Sequence, residues 1–119
     1  MTNRNKAKGT QFESLVRDYM KEEWSPLIER MPLSGNADRG DIANFRIGQN
    51  GQHLVALELK NRTNMSLSEW VREAQDEAKN YGAVAGAVIH KRKGKASAAD
   101  QFVTTTLSDF LTILHAAAT

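Results

Sequence analysis

The spacing of apolar residues along the chain predicts three helices. In the first, apolar residues recur at 12, 15, 16, 19 and 20, the stripe of a helix that buries one face. This helix begins at Thr10 and ends before Pro26, because a residue that precedes a proline disfavours helical geometry. A second helix follows the capping-box pattern of Ser66 and Glu69, and a third begins near Leu107. The apolar residues on one face of this third helix are Leu107, Phe110, Leu111 and Leu114.

The segments between these helices have the patterns of strands. Two extended runs, 41–47 and 52–60, flank the segment 48–51, which ends in Asn-Gly. Asn-Gly is a strong hairpin signal because both residues tolerate positive φ. Three further strands are predicted at 27–33, 83–89 and 101–105. We therefore expect an α/β domain with a mixed sheet flanked by helices, in the order αβββαββα.

The composition is that of an ordinary globular domain. A chain of 119 residues with 40% hydrophobic and 25% charged residues suits one domain with one core. The absence of cysteine excludes a disulfide scaffold, a thiolate metal site and a cysteine nucleophile. No apolar run approaches the roughly 18–20 residues that span a bilayer, and no signal-peptide core follows Met1, so we expect a cytoplasmic protein.

The formal net charge of +2 conceals an uneven distribution of charge. Residues 1–9 form a basic arm before the domain of residues 10–119, and residues 91–95 form a basic loop. Without these two segments, nine basic and 14 acidic residues remain. Basic segments on an acidic body favour a polyanionic partner, and a plainly solvated loop is the alternative. The cations concerned are Arg4, Lys6, Lys8, Lys91, Arg92, Lys93 and Lys95.

Three charged residues are predicted to meet near the end of the hairpin. Period-two alternation puts Glu58 and Lys60 on one face of their strand. A four-residue loop places Asp41 opposite Glu58, whereas a two-residue Asn50-Gly51 turn places it opposite Lys60. Both registers bring Asp41 to the same face, because directly opposed residues share a face. A three-residue loop would turn Asp41 away and remove the constellation.

These residue types point to metal-assisted chemistry. Opposed carboxylates repel each other unless a cation lies between them, and oxygen ligands favour Mg²⁺. Such an ion lowers the pKa of a bound water and stabilises a leaving oxygen. Lys60 could orient that water or neutralise charge on a phosphate, and Glu13 could add an outer-shell or second-metal ligand. The pattern predicts hydrolysis of a phosphodiester.

Each of these residues also has a plainer interpretation. Glu13 fits the last position of a capping box that begins at Thr10. Glu58 and Lys60 fit an ion pair that guards an edge strand. Asp41 fits a turn after Arg39-Gly40. Their occurrence together favours the nuclease interpretation.

Four segments of the chain carry a resemblance to a known family. An aspartate followed about 16 residues later by Glu-x-Lys on the next strand resembles the PD-(D/E)xK nuclease superfamily. The order and spacing are similar to those of the archaeal-type Holliday junction resolvases and their phage relatives, over roughly residues 8–105. The segments are Lys8-Gly9-Thr10-Gln11-Phe12-Glu13, Arg30-Met31-Pro32-Leu33-Ser34-Gly35, Gly40-Asp41-Ile42 and Glu58-Leu59-Lys60. Gly40 stands at the position where the PD-(D/E)xK motif has proline.

The resemblance implies a restriction-endonuclease-like fold with a metal site. Asp41, Glu58 and the Leu59 carbonyl would ligate Mg²⁺, for which Mn²⁺ would substitute. Glu13 would complete the acidic site, and Lys60 would act on the attacking water.

Two further positions match those of the family. Gln75 corresponds to a glutamine that many members place near the lysine, although a solvated helix residue is the alternative. Ser34 falls in the loop that resolvases present to their substrate, although a simple turn is the alternative.

The resemblance also implies a substrate and an assembly. The expected function is Mg²⁺-dependent endonuclease activity on branched DNA, with four-way Holliday junctions first, in a bacterial, archaeal or phage-infected cell. Symmetric cleavage needs two active sites and therefore a C₂ homodimer. Arg30, Arg39 and Arg62 would contact the DNA backbone together with the basic arm and loop. A broader flap or fork nuclease, an exonuclease and an inactive DNA-binding module are the alternatives, and the intact Asp41, Glu58 and Lys60 argue against the last.

Overall fold

A computed structural model of the chain describes residues 3–33 and 35–119, with side chains described from Lys6 onward. Its helices are α1 (Asn3–Glu23), α2 (Leu67–Tyr81) and α3 (Leu107–Ala117). Its strands are β1 (Glu29–Arg30), β2 (Ile42–Ala43), β3 (Arg46–Ile47), β4 (His53–Lys60), β5 (Ala85–His90) and β6 (Phe102–Thr104). Within the described residues no helix is both long and apolar enough to cross a membrane.

The predicted α/β domain with a mixed sheet flanked by helices is confirmed. The main sheet has the order β3-β4-β5-β6, and β1 pairs with β2 in a separate small sheet. β4 and β5 are parallel, while β3 and β6 run antiparallel to their neighbours. A parallel pair needs a long crossover, which α2 supplies.

The predicted strand 41–47 is divided in two, so four strands instead of three precede α2. Asn44 interrupts it with a φ of 69°, a conformation that asparagine tolerates better than most residues. Tertiary contacts hold this break: the Asn44 side-chain amide donates to the Leu27 carbonyl at 2.9 Å, and its backbone N–H donates to the Tyr81 hydroxyl at 3.2 Å.

Helix α1 begins at Asn3, seven residues before the predicted start at Thr10. Part of the predicted basic arm is therefore helical. Because Thr10 lies inside α1, the interpretation of Glu13 as a capping-box residue is wrong. Helix α2 begins where predicted, but the Ser66 side chain makes no capping hydrogen bond within the described structure.

The core lies on both faces of β4, and alternation along this strand is as predicted. Leu57 and Leu59 pack with Phe12 of α1 in the larger cluster of buried side chains. Glu58 lies on the other face, beside Val88 of β5, which packs against α2. β4 runs between β3 and β5 in the sheet order, but β3 pairs only with His53 and Leu54, so the end of β4 keeps one open edge. Glu58 and Lys60 form the ion pair of the plainer interpretation at this end.

Helix α2 packs so closely on β5 that only glycine fits at the contact. A Cβ added at Gly86 would lie 2.2 Å from the Ala74 carbonyl oxygen. We expect Gly86→Ala to lower the free energy of unfolding by about 2 kcal/mol or more, because the α2 backbone has to move. Gly9→Ala is the control: no described atom lies within 4 Å of its added Cβ, and alanine favours a helix. Equal stability of the two variants in urea unfolding would contradict this packing.

Candidate metal and active site

A polar cleft of about 1090 Å³ opens where β4 ends. Its walls come from α1, the segment between β1 and β2, the end of β4 and the start of α2. Four predicted site residues line it: Glu13, Asp41, Glu58 and Lys60. Five predicted DNA-binding residues line it as well: Lys6, Lys8, Arg30, Arg39 and Arg62. The side chain of Arg4 and all of Ser34 lie outside the described residues.

Both predicted hairpin registers are wrong. Ile47 pairs with His53, a register midway between the two. Continued without interruption, it would have turned Asp41 to the far side. The break at Asn44 redirects the chain, as a β-bulge does.

Hydrogen bonds on either side of the break show this change. The Phe45 carbonyl accepts from the Val55 N–H at 3.0 Å, and the Asp41 N–H donates to the Leu57 carbonyl at 2.8 Å. The chain from Phe45 to Asp41 spans four residues, whereas the hydrogen-bonded positions on β4 advance by only two residues, from Val55 to Leu57. Asp41 consequently lies beside the end of β4, although the reason differs from the predicted one.

The Asp41 carboxylate occupies the open edge of β4. Its Oδ2 accepts from the Leu59 N–H at 2.8 Å. Its carboxyl group also lies within hydrogen-bonding reach of the Glu58 carboxyl. The Leu59 carbonyl points to the same edge, because N–H and C=O of one strand residue share a side. The structure thus brings together three of the four predicted metal ligands, Asp41, Glu58 and Leu59.

Burial changes the ionisation of these carboxyl groups. Burial and then the charge of Glu58 raise the pKa of Asp41 to about 8, against the lowering effect of the Leu59 N–H. Burial also raises the pKa of Glu58 to about 7, although Asp41 and Lys60 lower it in part. Without a cation, adjacent buried carboxylates are therefore held partly protonated at neutral pH.

Lys60 is held next to Glu58 by two ion pairs. Its Nζ lies 3.2 Å from Glu58 Oε2 and 3.2 Å from Glu73 Oε2. Burial lowers the pKa of Lys60, but Glu58 and Glu73 outweigh it, so that the net shift is upward. Lys60 is therefore a fixed positive charge at neutral pH. In this state it can donate a hydrogen bond to a group in the cleft.

Glu13 reaches the cleft but is paired with an arginine. Its Oε1 accepts from Arg30 Nη2 at 2.9 Å and from Arg30 Nε at 3.2 Å. Its charge still contributes to the raised pKa of Asp41. Glu13 thus lies on the wall of the site, and the Arg30 guanidinium, predicted to contact DNA, contacts this carboxylate.

Gln75 is not near Lys60. It lines a shallow groove with Leu67, Val71 and Thr104–Thr106. The α2 residue that contacts Lys60 is Glu73. Residues four apart share a helix face whereas residues two apart do not, so Gln75 and Glu73 point in different directions.

The sequence analysis missed two acidic residues, Asp38 and Glu77. A carboxylate oxygen from each of Asp38, Glu58 and Glu77 lies within 4.8 Å of the others, so the three could hold a metal ion. Burial raises the pKa of Glu77 to about 8, with Asp38 and Asp41 contributing. A signal existed: Glu73 and Glu77 interrupt the apolar stripe of Trp70, Ala74 and Ala78, where a charged residue needs a partner.

Gly40 has a conformation that proline cannot adopt. Its φ is 92°, whereas proline is locked near −65°. An added Cβ would also lie 2.9 Å from the Leu57 carbonyl oxygen. Glycine therefore lets the backbone pass close to β4 immediately before Asp41.

The basic loop 91–95 starts beside Lys60. The Lys91 N–H donates to the Lys60 carbonyl at 3.0 Å. The buried Gln101 side chain fixes the loop by accepting from the Arg92 N–H at 2.6 Å and donating to the Lys95 carbonyl at 3.0 Å. The basic loop is thus fixed by hydrogen bonds next to the end of β4, where the acidic residues lie.

No family model matches the chain, and neither does any curated protein or solved structure.

Proposed function

We propose that the chain is a Mg²⁺-dependent, structure-specific DNA endonuclease, with four-way junctions as its first substrate. The observation that carries the proposal is the arrangement of Asp41, Glu58 and Lys60 at the end of β4, inside an open polar cleft. Its test is cleavage of a labelled four-way junction in Mg²⁺ and in EDTA.

The oxygen atoms in the cleft suit a hard divalent cation. Asp41, Glu58 and the Leu59 carbonyl would hold Mg²⁺, and Mn²⁺ accepts the same ligands. The bound ion would supply Lewis acidity and a water of lowered pKa. Lys60 would neutralise charge that grows on the phosphate, because its ammonium group is held charged. Glu13 would hold Arg30 in position at the wall.

The basic residues around the cleft support DNA as the substrate. Lys6 and Lys8 lie on α1 and Arg39 and Arg62 on the connecting segments, all on the cleft that contains the acidic residues. Cations that flank a metal site can bind the phosphates on either side of the scissile bond. Such contacts position DNA without reading its sequence.

Neutralising the basic loop tests its contribution to binding. We expect replacement of Lys91, Arg92, Lys93 and Lys95 by glutamine to weaken DNA binding. The salt slope should fall by about 0.9 for each phosphate that the loop no longer neutralises. The backbone bonds to Gln101 remain, so the loop keeps its shape. Lys79→Gln, an exposed cation of α2, is the control; an unchanged salt slope in the loop variant would mean that the loop is only solvated.

An exposed apolar face supports the homodimer that two-strand cleavage requires. The stripe predicted on α3 does not face the core: Leu107, Phe110, Leu111 and Leu114 are 46–74% exposed, and the buried residue of this helix is Ala116. Val103 on the neighbouring strand β6 is also exposed. Apolar side chains exposed along one face of a helix are typical of an interface, and a second copy of the chain would supply the second active site.

A further inference from the structure

The buried acidic residue Glu77 is an unexplained feature next to two cleft residues, Asp38 and Glu58. It lies on the inner face of α2, 3% exposed, and takes no part in the site proposed at Asp41. One of its carboxylate oxygens lies within 4.8 Å of carboxylate oxygens of Glu58 and Asp38. Yet within the described residues its Oε1 atom is buried with no hydrogen-bond partner. Because an unsatisfied buried carboxyl oxygen is costly, it needs a ligand that the protein itself does not provide.

The distances around Glu77 suit a small divalent cation. Oxygen atoms of Asp38, Glu58 and Glu77 lie within 4.8 Å of one another. Oxygens bound to one Mg²⁺ at about 2.1 Å lie about 3 Å apart when adjacent and about 4.2 Å apart when opposite. The oxygens would therefore need only small side-chain movements to share an ion.

We propose that Asp38, Glu58 and Glu77 form a second divalent-cation site, in which Glu58 is shared with the site at Asp41. The role of Glu58 as a bridge rests on the proposed function, whereas binding at Glu77 does not. Hard oxygen ligands favour Mg²⁺, Mn²⁺ or Ca²⁺ over softer metals, and we take Mg²⁺ or Mn²⁺ as the occupant because the spacing suits a small ion.

Each ligand of this second site is fixed by an independent part of the fold. Glu77 is positioned by α2, which packs directly on β5 at Gly86. Glu58 lies within the central strand β4. Asp38 is held by two hydrogen bonds: its Oδ1 accepts from the Gly40 N–H at 2.9 Å, and its backbone carbonyl accepts from Asn80 Nδ2 at 2.7 Å.

Exposure of Asp38 gives the second site an entry path. Glu58 and Glu77 are buried, whereas Asp38 is exposed. A bound ion could therefore enter from solvent and keep several waters, as Mg²⁺ does in proteins. Paired ions that share a carboxylate can act on both the attacking and the leaving oxygen of a phosphodiester. The second site would then extend the proposed chemistry to a two-metal arrangement.

Counting bound Mn²⁺ tests the second site without DNA. Electron paramagnetic resonance titration measures how many ions each chain binds and how tightly. We expect two ions for the wild type and, in Glu77→Gln, one ion only or a second ion bound at least about tenfold more weakly. Asp76→Asn, an exposed residue of the same helix outside the cleft, is the control and should bind as the wild type does.

Two further variants make the outcomes distinct. Asp38→Asn should weaken the same ion as Glu77→Gln, and it covers the case in which Glu77→Gln does not fold. Asp41→Asn should lose the other ion. An ion lost in Glu77→Gln but kept in Asp41→Asn supports this proposal, even if DNA cleavage is never found. Three results would overturn it. The first is unchanged binding in both Glu77→Gln and Asp38→Asn, and the second is loss of one and the same ion in Glu77→Gln and Asp41→Asn. The third is a wild type that binds no ion.

Discussion

Asp41→Asn is expected to reduce Mg²⁺-dependent cleavage of a four-way junction by at least about 100-fold, with DNA binding largely retained. The metal contribution is worth several kcal/mol, and each 1.4 kcal/mol or so is a factor of ten in rate. The fold should persist, because an asparagine oxygen can still accept from the Leu59 N–H. Single-turnover cleavage and a gel-shift titration measure the two properties separately.

A matched amide substitution elsewhere is the control for this experiment. Asp76→Asn removes a carboxylate of α2 outside the cleft and should leave both cleavage and binding unchanged. Full activity of Asp41→Asn would reject the assignment of Asp41 as a metal ligand. Loss of DNA binding together with cleavage would instead place Asp41 on the DNA-binding surface or in the fold.

The metal-free protein is expected to lose stability as the pH rises from about 4 to about 8. Burial raises the pKa of Asp41, Glu58 and Glu77 to about 8, about 7 and about 8, above their ordinary values near 4. The folded chain therefore binds protons that the unfolded chain has released, so stability is fully present below pH 4 and falls through this window. One pKa unit is about 1.4 kcal/mol, so the loss should be on the order of several kcal/mol.

Urea unfolding at a series of pH values, in EDTA and in Mg²⁺, checks this dependence. Mg²⁺ binds the ionised carboxylates of the folded chain and should restore stability at pH 8. Glu77→Gln removes one of the titrating groups and should flatten the metal-free profile, whereas Asp76→Asn, at an exposed residue, should not. A metal-free stability that stays level between pH 4 and pH 8 would show that these carboxyl groups are not held as the structure places them.

Local periodicity was sufficient to predict the elements that carry the site. Leu57 and Leu59 face one side of β4 and Glu58 the other, because alternation in a strand depends only on its pleat. The capping-box pattern of Ser66 and Glu69 gave the start of α2 at Leu67, although the Ser66 side chain makes no capping hydrogen bond in the described structure. The ion pair between Glu58 and Lys60 follows from the same alternation.

The position of Asp41 could not be derived from local pattern alone. It depends on the break at Asn44, and that break is held by Leu27 and Tyr81, residues distant in sequence. Hairpin rules assume an unbroken strand, so both predicted registers failed. Asp41 nevertheless lies next to Glu58, as predicted. The observed register would have turned Asp41 away, and the break at Asn44 turns it back.

Glu73 and Glu77 interrupt the apolar stripe of α2, but the pattern alone does not say which face of α2 points at the site. The face depends on how α2 packs on β5 at Gly86, a contact between backbones that leaves no hydrophobic signal. The structure therefore replaces Gln75 by Glu73 and Glu77 as the α2 residues beside Lys60 and Glu58. On α3 the apolar stripe was located correctly, but periodicity does not tell whether such a stripe packs within one chain or against another.

Cleavage by the wild-type protein of end-labelled duplex, flap, fork and four-way DNA, each in Mg²⁺ and in EDTA, addresses the proposed activity most directly. We predict Mg²⁺-dependent cuts that are fastest in the four-way junction, absent in EDTA and slow or absent in duplex. If flap or fork DNA is cut fastest, the proposed metal-dependent hydrolysis stands, but the preferred substrate is that DNA instead of the four-way junction. No Mg²⁺-dependent cleavage of any of the four, by a folded protein that binds them, would contradict the proposed nuclease.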